Sequence, residues 1–172
     1  MKKLIALIMI ILVANLLTGC GLYDLSGFVL PDDLEFLAVI EELDTPKKIV
    51  DYMQDNFEYE PHVFYAPDPY DLWKSKKGDC NDFVAFAQFV ANYHGIKTWQ
   101  ILIYVKNSLF HHVIAVYEEN GKYNYSNNKA YYPIQVSTFK EVVEHCFSLS
   151  DEYEFKNYEV YDYKMNIVEV GN

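Results

Sequence analysis

The spacing of hydrophobic residues changes from helical to alternating near the middle of the chain. In the first half, apolar positions recur three or four residues apart, which is typical of amphipathic helices. In the second half, apolar and polar positions alternate or form short apolar runs, which is typical of β-strands. Helices followed by a run of strands indicate an α+β domain with an antiparallel sheet.

Capping residues mark where several of the predicted helices begin. Thr45 and Asp68 each precede a proline, which suits the first turn of a helix because its missing N–H is not needed there. Ser137 is placed to cap a helix near the end of the chain. The predicted helices cover residues 34–43, 46–57, 69–73, 82–94 and 138–145.

The strands are predicted from apolar runs and turn signals. Residues 98–105 are nearly all apolar, which is typical of a central strand that is covered on both faces. Asn120-Gly121 is a strong hairpin signal between the two strands that follow, and Pro133 is expected to break the pattern after them. The predicted strands cover 98–105, 111–118 and 122–127, with one or two more in 155–168.

The hairpin determines which side chains share a face of the sheet. A two-residue turn pairs Glu119 with Lys122, and directly opposed residues lie on one face, as do residues two apart on a strand. One face then carries His112, Ile114, Val116, Tyr125 and Asn127. The other face carries His111, Val113, Ala115, Ser126 and Asn128. A one-residue bulge would exchange the two faces.

The N-terminus has the pattern of a secretory signal. A basic start precedes an apolar run over 4–17, which is shorter than the ~20 residues that a spanning helix needs. The sequence Leu-Thr-Gly-Cys that ends at Cys20 resembles the lipobox of bacterial lipoproteins, which implies cleavage before Cys20 and lipidation of its thiol. A single anchor helix is the alternative. The predicted parts are a signal peptide over 1–19, a tether over 20–32 and one domain over 33–172.

This leader predicts a domain outside the cytoplasm of a bacterium, held on the lipid bilayer through Cys20. The net charge of −11, without any arginine, argues against nucleic acid as a partner. It also disfavours binding to an anionic membrane surface by charge alone. An extracytoplasmic setting permits a disulfide between Cys80 and Cys146, although nothing in the pattern brings the two together.

The segment Gly78-Asp79-Cys80-Asn81-Asp82 lies between a Lys-rich turn and a helical pattern. A cysteine there is at a helix N-terminus, where the positive end of the helix dipole favours the thiolate. Thiolate is the form that a nucleophilic cysteine needs. The alternative is a small core residue, since free cysteine is among the most buried residue types.

A nucleophilic cysteine needs a base that a third group orients. His94 is at the far end of the same helix, about 20 Å away at 1.5 Å per residue. His112 is the preferred base, because Asn127 is its diagonal neighbour across the hairpin and can accept its Nδ1–H. The open alternatives are His62, His145 and the pair of His111 with Ser126. A hydrogen-bonded core histidine is the alternative role for His112.

Three motifs in this order resemble the transglutaminase-like superfamily. They are 78–83, which resembles the nucleophile region, 112–117, which resembles the histidine strand, and 121–127, which resembles the strand of the third catalytic residue. The resemblance covers about residues 45–133. It implies a papain-like α+β fold and a triad of Cys80, His112 and Asn127.

The resemblance also implies acyl transfer through a thioester on Cys80, without a cofactor or a metal. The family has Asp more often than Asn at the third position, and often Trp two residues after the histidine, where this chain has Ile114. An oxyanion donor is expected upstream of the cysteine. Trp73 could supply an indole N–H for it, although core packing is the commoner role of an aromatic residue.

The predicted function is a membrane-anchored cysteine peptidase or amidase that acts on peptide or isopeptide bonds of a peptide or protein substrate. One alternative is a transamidase, which transfers the acyl group of a protein glutamine side chain to an amine. Water and an amine compete for the same thioester. A non-catalytic surface module that kept the fold is another. A structural metal site at Cys80 and His112 lacks the paired ligand spacing of zinc sites. Substrate identity and oligomeric state do not follow from the sequence.

Overall fold

Helices precede strands along the chain, as the hydrophobic spacing predicts. The computed structural model describes residues 25, 27–61, 68–108, 111–150 and 154–172. The helices are α1 (Leu34–Glu42), α2 (Pro46–Asn56), α3 (Pro69–Ser75), α4 (Cys80–Tyr93) and α5 (Phe139–Ser148). The strands are β1 (Glu58–Tyr59), β2 (Lys77–Gly78), β3 (Thr98–Val105), β4 (His111–Glu119), β5 (Lys122–Asn127), β6 (Ala130–Val136), β7 (Phe155–Asp162) and β8 (Ile167–Gly171).

The predicted signal peptide and its Cys20 lie outside the described residues. Within the described ranges, no helix has both the length and the apolar character to cross a bilayer.

Side-chain caps begin the helices close to the predicted positions. The Thr45 hydroxyl accepts a backbone N–H of α2, and the Asp68 carboxylate accepts two from α3. The cap of α5 is Thr138, one residue after the expected Ser137. Its hydroxyl accepts the N–H of Glu141 at 3.2 Å, and the Glu141 carboxylate accepts the N–H of Thr138 at 2.9 Å. Only Thr138 has a glutamate three residues later, so the reciprocal capping box selects it.

The main sheet has six antiparallel strands in the order β6-β5-β4-β3-β7-β8. The nearly all-apolar strand β3 is internal, as predicted. Strands β1 and β2 form a separate parallel pair just before α4. The region 155–168, expected to hold one or two strands, holds β7 and the start of β8.

The register of the β4–β5 hairpin is the predicted one. Glu119 pairs with Lys122, and Val116 pairs with Tyr125. Asn120 and Gly121 have φ angles of +55° and +72°. This left-handed conformation is what a tight hairpin turn requires at its two central residues.

Strand β6 was not expected, because Pro133 lies in the middle of it. The strand is at the edge of the sheet, so the absent proline N–H need not bond to a further strand. Its pairing with β5 shifts register between Tyr123 and Tyr125, and Gln135 has a φ of +54°. An edge strand with an irregularity tolerates a proline that a central strand would exclude.

Helices cover both faces of the sheet. Helices α1–α4 build one core against the face of β4 that carries Val113, Ala115 and Tyr117. Helix α5 builds a second core against the other face, with Ile101, Ile103, Ile114, Val116 and Tyr125. The result is an α+β domain of three layers, in which every apolar position of central β4 is buried.

Candidate active site

Cys80 is the first residue of α4 and follows the N-cap residue Asp79 directly. The helix therefore begins two residues earlier than predicted, and the thiol is within its first turn. Cys80 is 7% exposed and belongs to the core cluster that includes Val113 and Ala115 of β4. The positive end of the helix dipole at this position favours the thiolate.

Two buried carboxylates hold the backbone around Cys80. Asp79 Oδ1 accepts the N–H of Asn81 at 2.9 Å, and Asp82 Oδ2 accepts the N–H of Asp79 at 2.8 Å. Gly78 approaches so closely that an added Cβ would be 2.7 Å from the Asp82 side chain. The glycine and the capping box together fix the position from which the cysteine side chain projects.

His112 and Asn127 form the side-chain pair that the hairpin register predicts. His112 Nε2 is 2.8 Å from Asn127 Oδ1, so the bonded ring nitrogen is Nε2 rather than the expected Nδ1. Asn127 Nδ2 donates in turn to Cys146 Sγ at 3.6 Å. Since Cys146 is on α5, this pair belongs to the face that α5 covers.

Cys80 and His112 lie on opposite faces of the sheet. Strand β4 pairs with β3 in an unbroken register, so its side chains alternate strictly. Val113 and Ala115 belong to the cluster of Cys80, whereas Ile114 belongs to the cluster of α5. His112 shares the face of Ile114. The alternation of β4 therefore points away from contact between His112 and Cys80, and the triad of Cys80, His112 and Asn127 stays a prediction.

His111 is the histidine of β4 on the Cys80 face. It precedes Val113 by two residues and is half-buried. Its ring lies 5.4 Å, between centroids, from the ring of Tyr104, its partner on β3. Burial lowers the pKa of His111. The imidazole is therefore neutral near pH 7, which is the form that accepts a proton from a thiol.

Ser126 is a polar residue of β5 on this face, and Asn128 lies in the turn that follows β5. The hydroxyl of Ser126 is buried and hydrogen-bonded to the hydroxyl of Tyr117 at 2.7 Å, so the pairing of His111 with Ser126 is not formed. Asn128 has a φ of +49°, and its Oδ1 is buried without a hydrogen-bond partner in the described part of the chain. The β4–β5 register ends at the pair of Ala115 and Ser126, and Asn128 follows in the turn between β5 and β6.

The turn that contains Asn128 is held against the helical layer. Lys129 Nζ donates to the backbone oxygen of Phe57 at 2.6 Å. The Phe57 ring stacks on Phe83, in the first turn of α4, with 6.3 Å between centroids. This contact brings the β5–β6 turn to the side of the sheet where α4 begins.

Trp73, the predicted oxyanion donor, lies in an aromatic cluster of the helical layer. Its ring is 5.4 Å from Phe36 and 5.9 Å from Tyr70 between centroids, and Lys76 Nζ is 4.4 Å above it. No contact among the described residues joins its indole to Cys80. The surroundings of Trp73 agree with core packing, and its oxyanion role stays a prediction.

Cys146 is separated from Cys80 by the sheet, and both thiols are free, so the disulfide alternative is not formed. Burial raises the pKa of Cys146 to about 12. Cys146 therefore remains a thiol at neutral pH and is not a second nucleophile. Together with His111, His112 and Asn127 it lines a cavity of about 340 Å³.

Two of the remaining histidines make other contacts. His94 Nε2 bonds to the backbone oxygen of Ile40 at 2.8 Å, and His145 Nδ1 bonds to the Tyr125 hydroxyl at 2.9 Å on the α5 face. His62 lies outside the described residues. Across the described ranges, no three His, Cys, Asp or Glu side chains gather in a way that could hold a metal ion.

Comparison with known proteins identifies the family. Residues 38–127, just over half of the chain, match the transglutaminase-like superfamily. A solved structure from Cytophaga hutchinsonii, provisionally assigned as a cysteine protease, aligns at 12% identity with a TM-score of 0.44, covering 80% of this chain and 57% of that one. The chain thus spans little more than half the length of that protein. No curated protein matches the sequence. The chain belongs to the transglutaminase-like superfamily, a superfamily of thiol enzymes, and has its α+β papain-like core.

Proposed function

We propose that this protein is a cysteine peptidase or amidase that cleaves peptide or isopeptide bonds through a thioester on Cys80. The observation that carries the proposal is the relation between α4 and β4. Cys80 begins the helix, and the strand packed against that helix presents His111 on the same face. A thiol at a helix start and a neutral imidazole on the strand that packs against that helix are the two groups that a cysteine nucleophile and its base require.

In this mechanism His111 takes the proton of the Cys80 thiol as the thiolate attacks the substrate carbonyl carbon. The C–N bond then breaks, and His111 returns the proton to the leaving amine. Water attacks the resulting thioester with His111 as base, which releases a carboxylic acid and restores the thiol. Helix geometry aims the backbone N–H of Cys80 out of the helix start, where it can donate to the oxyanion.

Asn128 is the proposed orienting residue. A buried amide oxygen without a partner is unfavourable by about 1–3 kcal/mol unless a donor reaches it. In this proposal the imidazole N–H of His111 would be that donor, and the bond would fix the tautomer that accepts the thiol proton. Asparagine orients the imidazole without placing a full charge beside the imidazolium that forms during the reaction.

The proposed location is the outer face of a bacterial cytoplasmic membrane, with the lipid on Cys20 as the anchor. This rests on the basic start, the short apolar run and the lipobox-like sequence at the N-terminus. The substrate is then a peptide or protein at the cell surface.

Hydrolysis and transamidation differ in what attacks the thioester. Incubating the protein with a glutaminyl peptide library and a labelled primary amine separates them by mass spectrometry. Cleaved peptide or released ammonia is expected, with little amine incorporated, and both should vanish in Cys80→Ala. Amine incorporation without hydrolysis would make the protein a transamidase. Absence of both products, with Cys80 no more reactive than an ordinary thiol, would favour a non-catalytic surface module.

A further inference from the structure

Glu159 of β7 shares a face of the sheet with His111. Val113, Leu102 and Glu159 are directly opposed across the neighbouring strands β4, β3 and β7, and directly opposed residues point to the same side. Val113 belongs to the cluster of Cys80, and His111, two residues before Val113, points the same way. The Glu159 carboxylate is therefore on the side of the sheet that faces the Cys80 helix.

Two tyrosine hydroxyls hold this carboxylate. The hydroxyl of Tyr104 donates to Glu159 Oε2 at 3.3 Å, and the hydroxyl of Tyr161 donates to the same oxygen. Burial and the charge of Glu159 raise the pKa of Tyr104, so its hydroxyl stays protonated and remains a donor. Oε1 accepts no hydrogen bond from the residues that the structure describes. One oxygen of an oriented carboxylate is thus left to accept from a bound molecule.

The surface around Glu159 is open to solvent and continuous with the histidine. Val170 of β8 is directly opposed to Glu159 and is 62% exposed. Glu159, Tyr104 and Tyr161 are themselves only partly buried. The ring of Tyr104 lies between the two ends of this surface, since it contacts the ring of His111 and its hydroxyl reaches Glu159.

We propose that Glu159 is a specificity residue that binds a lysine or arginine side chain of the peptide substrate. This rests on the proposed function, because it names the substrate of the same site. Two strand spacings of about 4.8 Å and an offset of two residues of about 3.3 Å each separate Glu159 from His111 by about 12 Å. An extended peptide spans that distance in about three to four residues. The basic residue is therefore expected at that separation from the cleaved bond. The net charge of −11 also favours a cationic substrate.

Peptide libraries with a single lysine, glutamine or glutamate at each position test the preference on the full-length protein. Mass spectrometry should show kcat/KM about two- to fivefold higher with lysine than with glutamine at the expected position, as for a partly exposed ion pair. Glutamate there should slow cleavage. Raising the salt from about 0.05 M to about 0.5 M should reduce the preference, because the charges are then screened. Equal cleavage of the lysine and glutamine peptides at low salt would overturn the proposal.

Glu159→Gln and Glu169→Gln are a matched pair of variants. Both carboxylates accept a tyrosine hydroxyl, but Glu169 is opposed to Val160 and so lies on the α5 face. Glu159→Gln should abolish the preference for lysine, and Glu159→Lys should reverse it in favour of glutamate. Glu169→Gln should keep the preference of the unmodified protein. A preference that persists in Glu159→Gln would refute the assignment.

Binding to Cys80→Ala separates this proposal from the proposed function. Fluorescence anisotropy with the same peptides should show tighter binding of the lysine peptide than of the glutamine peptide. The difference should be lost when Glu159→Gln is added to Cys80→Ala. That result supports the specificity residue even where the unmodified protein cleaves no peptide, in which case the proposed hydrolysis alone has failed. Equal binding of both peptides would refute the specificity residue, whatever the cleavage assay shows.

Discussion

His111 and His112 are adjacent on β4, yet their side chains lie on opposite faces of the sheet. One imidazole is on the face of the helix that Cys80 begins, and the other bonds to Asn127 beneath α5. Strand geometry requires this alternation, and helices cover both faces. The two histidines share the lining of one cavity, but only His111 is on the face that α4 covers, so single substitutions can separate their roles.

The variants His111→Gln and His112→Gln test which histidine of β4 is the catalytic base. Loss of the base should lower kcat/KM of peptide hydrolysis by roughly 10²–10⁴-fold in His111→Gln. His112→Gln should stay within a few-fold of the unmodified protein, because His112 does not face the thiol. Steady-state kinetics with urea unfolding of both variants separates lost catalysis from lost stability. A greater loss in His112→Gln than in His111→Gln would mean that the catalytic face is misassigned.

Most of the architecture could be predicted from the sequence because local signals determine it. Asn120-Gly121 set the hairpin register, and the register correctly sorted the residues of β4 and β5 into two faces. The capping residues located the helix starts to within two residues. The prediction that Pro133 breaks the strand pattern was wrong. A proline excludes an internal strand but not an edge strand, and the position of a strand in the sheet depends on the whole fold.

The choice of face could not be made from the sequence. Val113 and Ala115 on one side of β4 and Ile114 and Val116 on the other are all apolar and all buried. When a strand is covered on both faces, its two sets of side chains are equally hydrophobic. The pattern then does not show which face packs against the helix that begins at Cys80. The small Ala115 was the only hint, since it suits a close approach of α4.

The two thiols should react very differently. At pH 7.5, a thiol with the pKa of about 12 given by burial of Cys146 is almost entirely protonated, with thiolate below about one part in 10⁴. Cys80, at a helix start, should alkylate with iodoacetamide at least 10²-fold faster. Peptide mapping of the labelled protein measures both rates in one sample.

Two variants test the assignment of these alkylation rates. Cys146→Ala should leave the fast alkylation of Cys80 unchanged, and His111→Gln should slow it. A Cys80 rate no greater than that of an unperturbed thiol would remove the main support for a nucleophile.

Stability should fall as the pH is lowered from about 7 to 5. Burial lowers the pKa of both His111 and His112 below the unfolded value of ~6.5. The unfolded chain then binds more protons in that window, so the free energy of unfolding decreases as the pH falls through it. Urea unfolding at several pH values should show a smaller slope in His112→Gln, since glutamine does not titrate. An unchanged slope would mean that His112 is not desolvated in the folded protein.

Variants of Asn128 and Ser126 test which residue orients the imidazole of His111. Asn128→Ala should lower kcat/KM by about 10²-fold, the scale expected when a reacting group loses its orientation, with a small change in stability. Ser126→Ala should instead lower the free energy of unfolding by about 1–3 kcal/mol, because the buried Tyr117 hydroxyl loses its partner.

Asn128→Asp should restore activity and move the acid limb of the pH–rate profile to higher pH, since a carboxylate raises the pKa of His111. Equal kinetic losses in Asn128→Ala and Asn128→Asp, without a shift of the profile, would show that Asn128 serves the turn and not the imidazole.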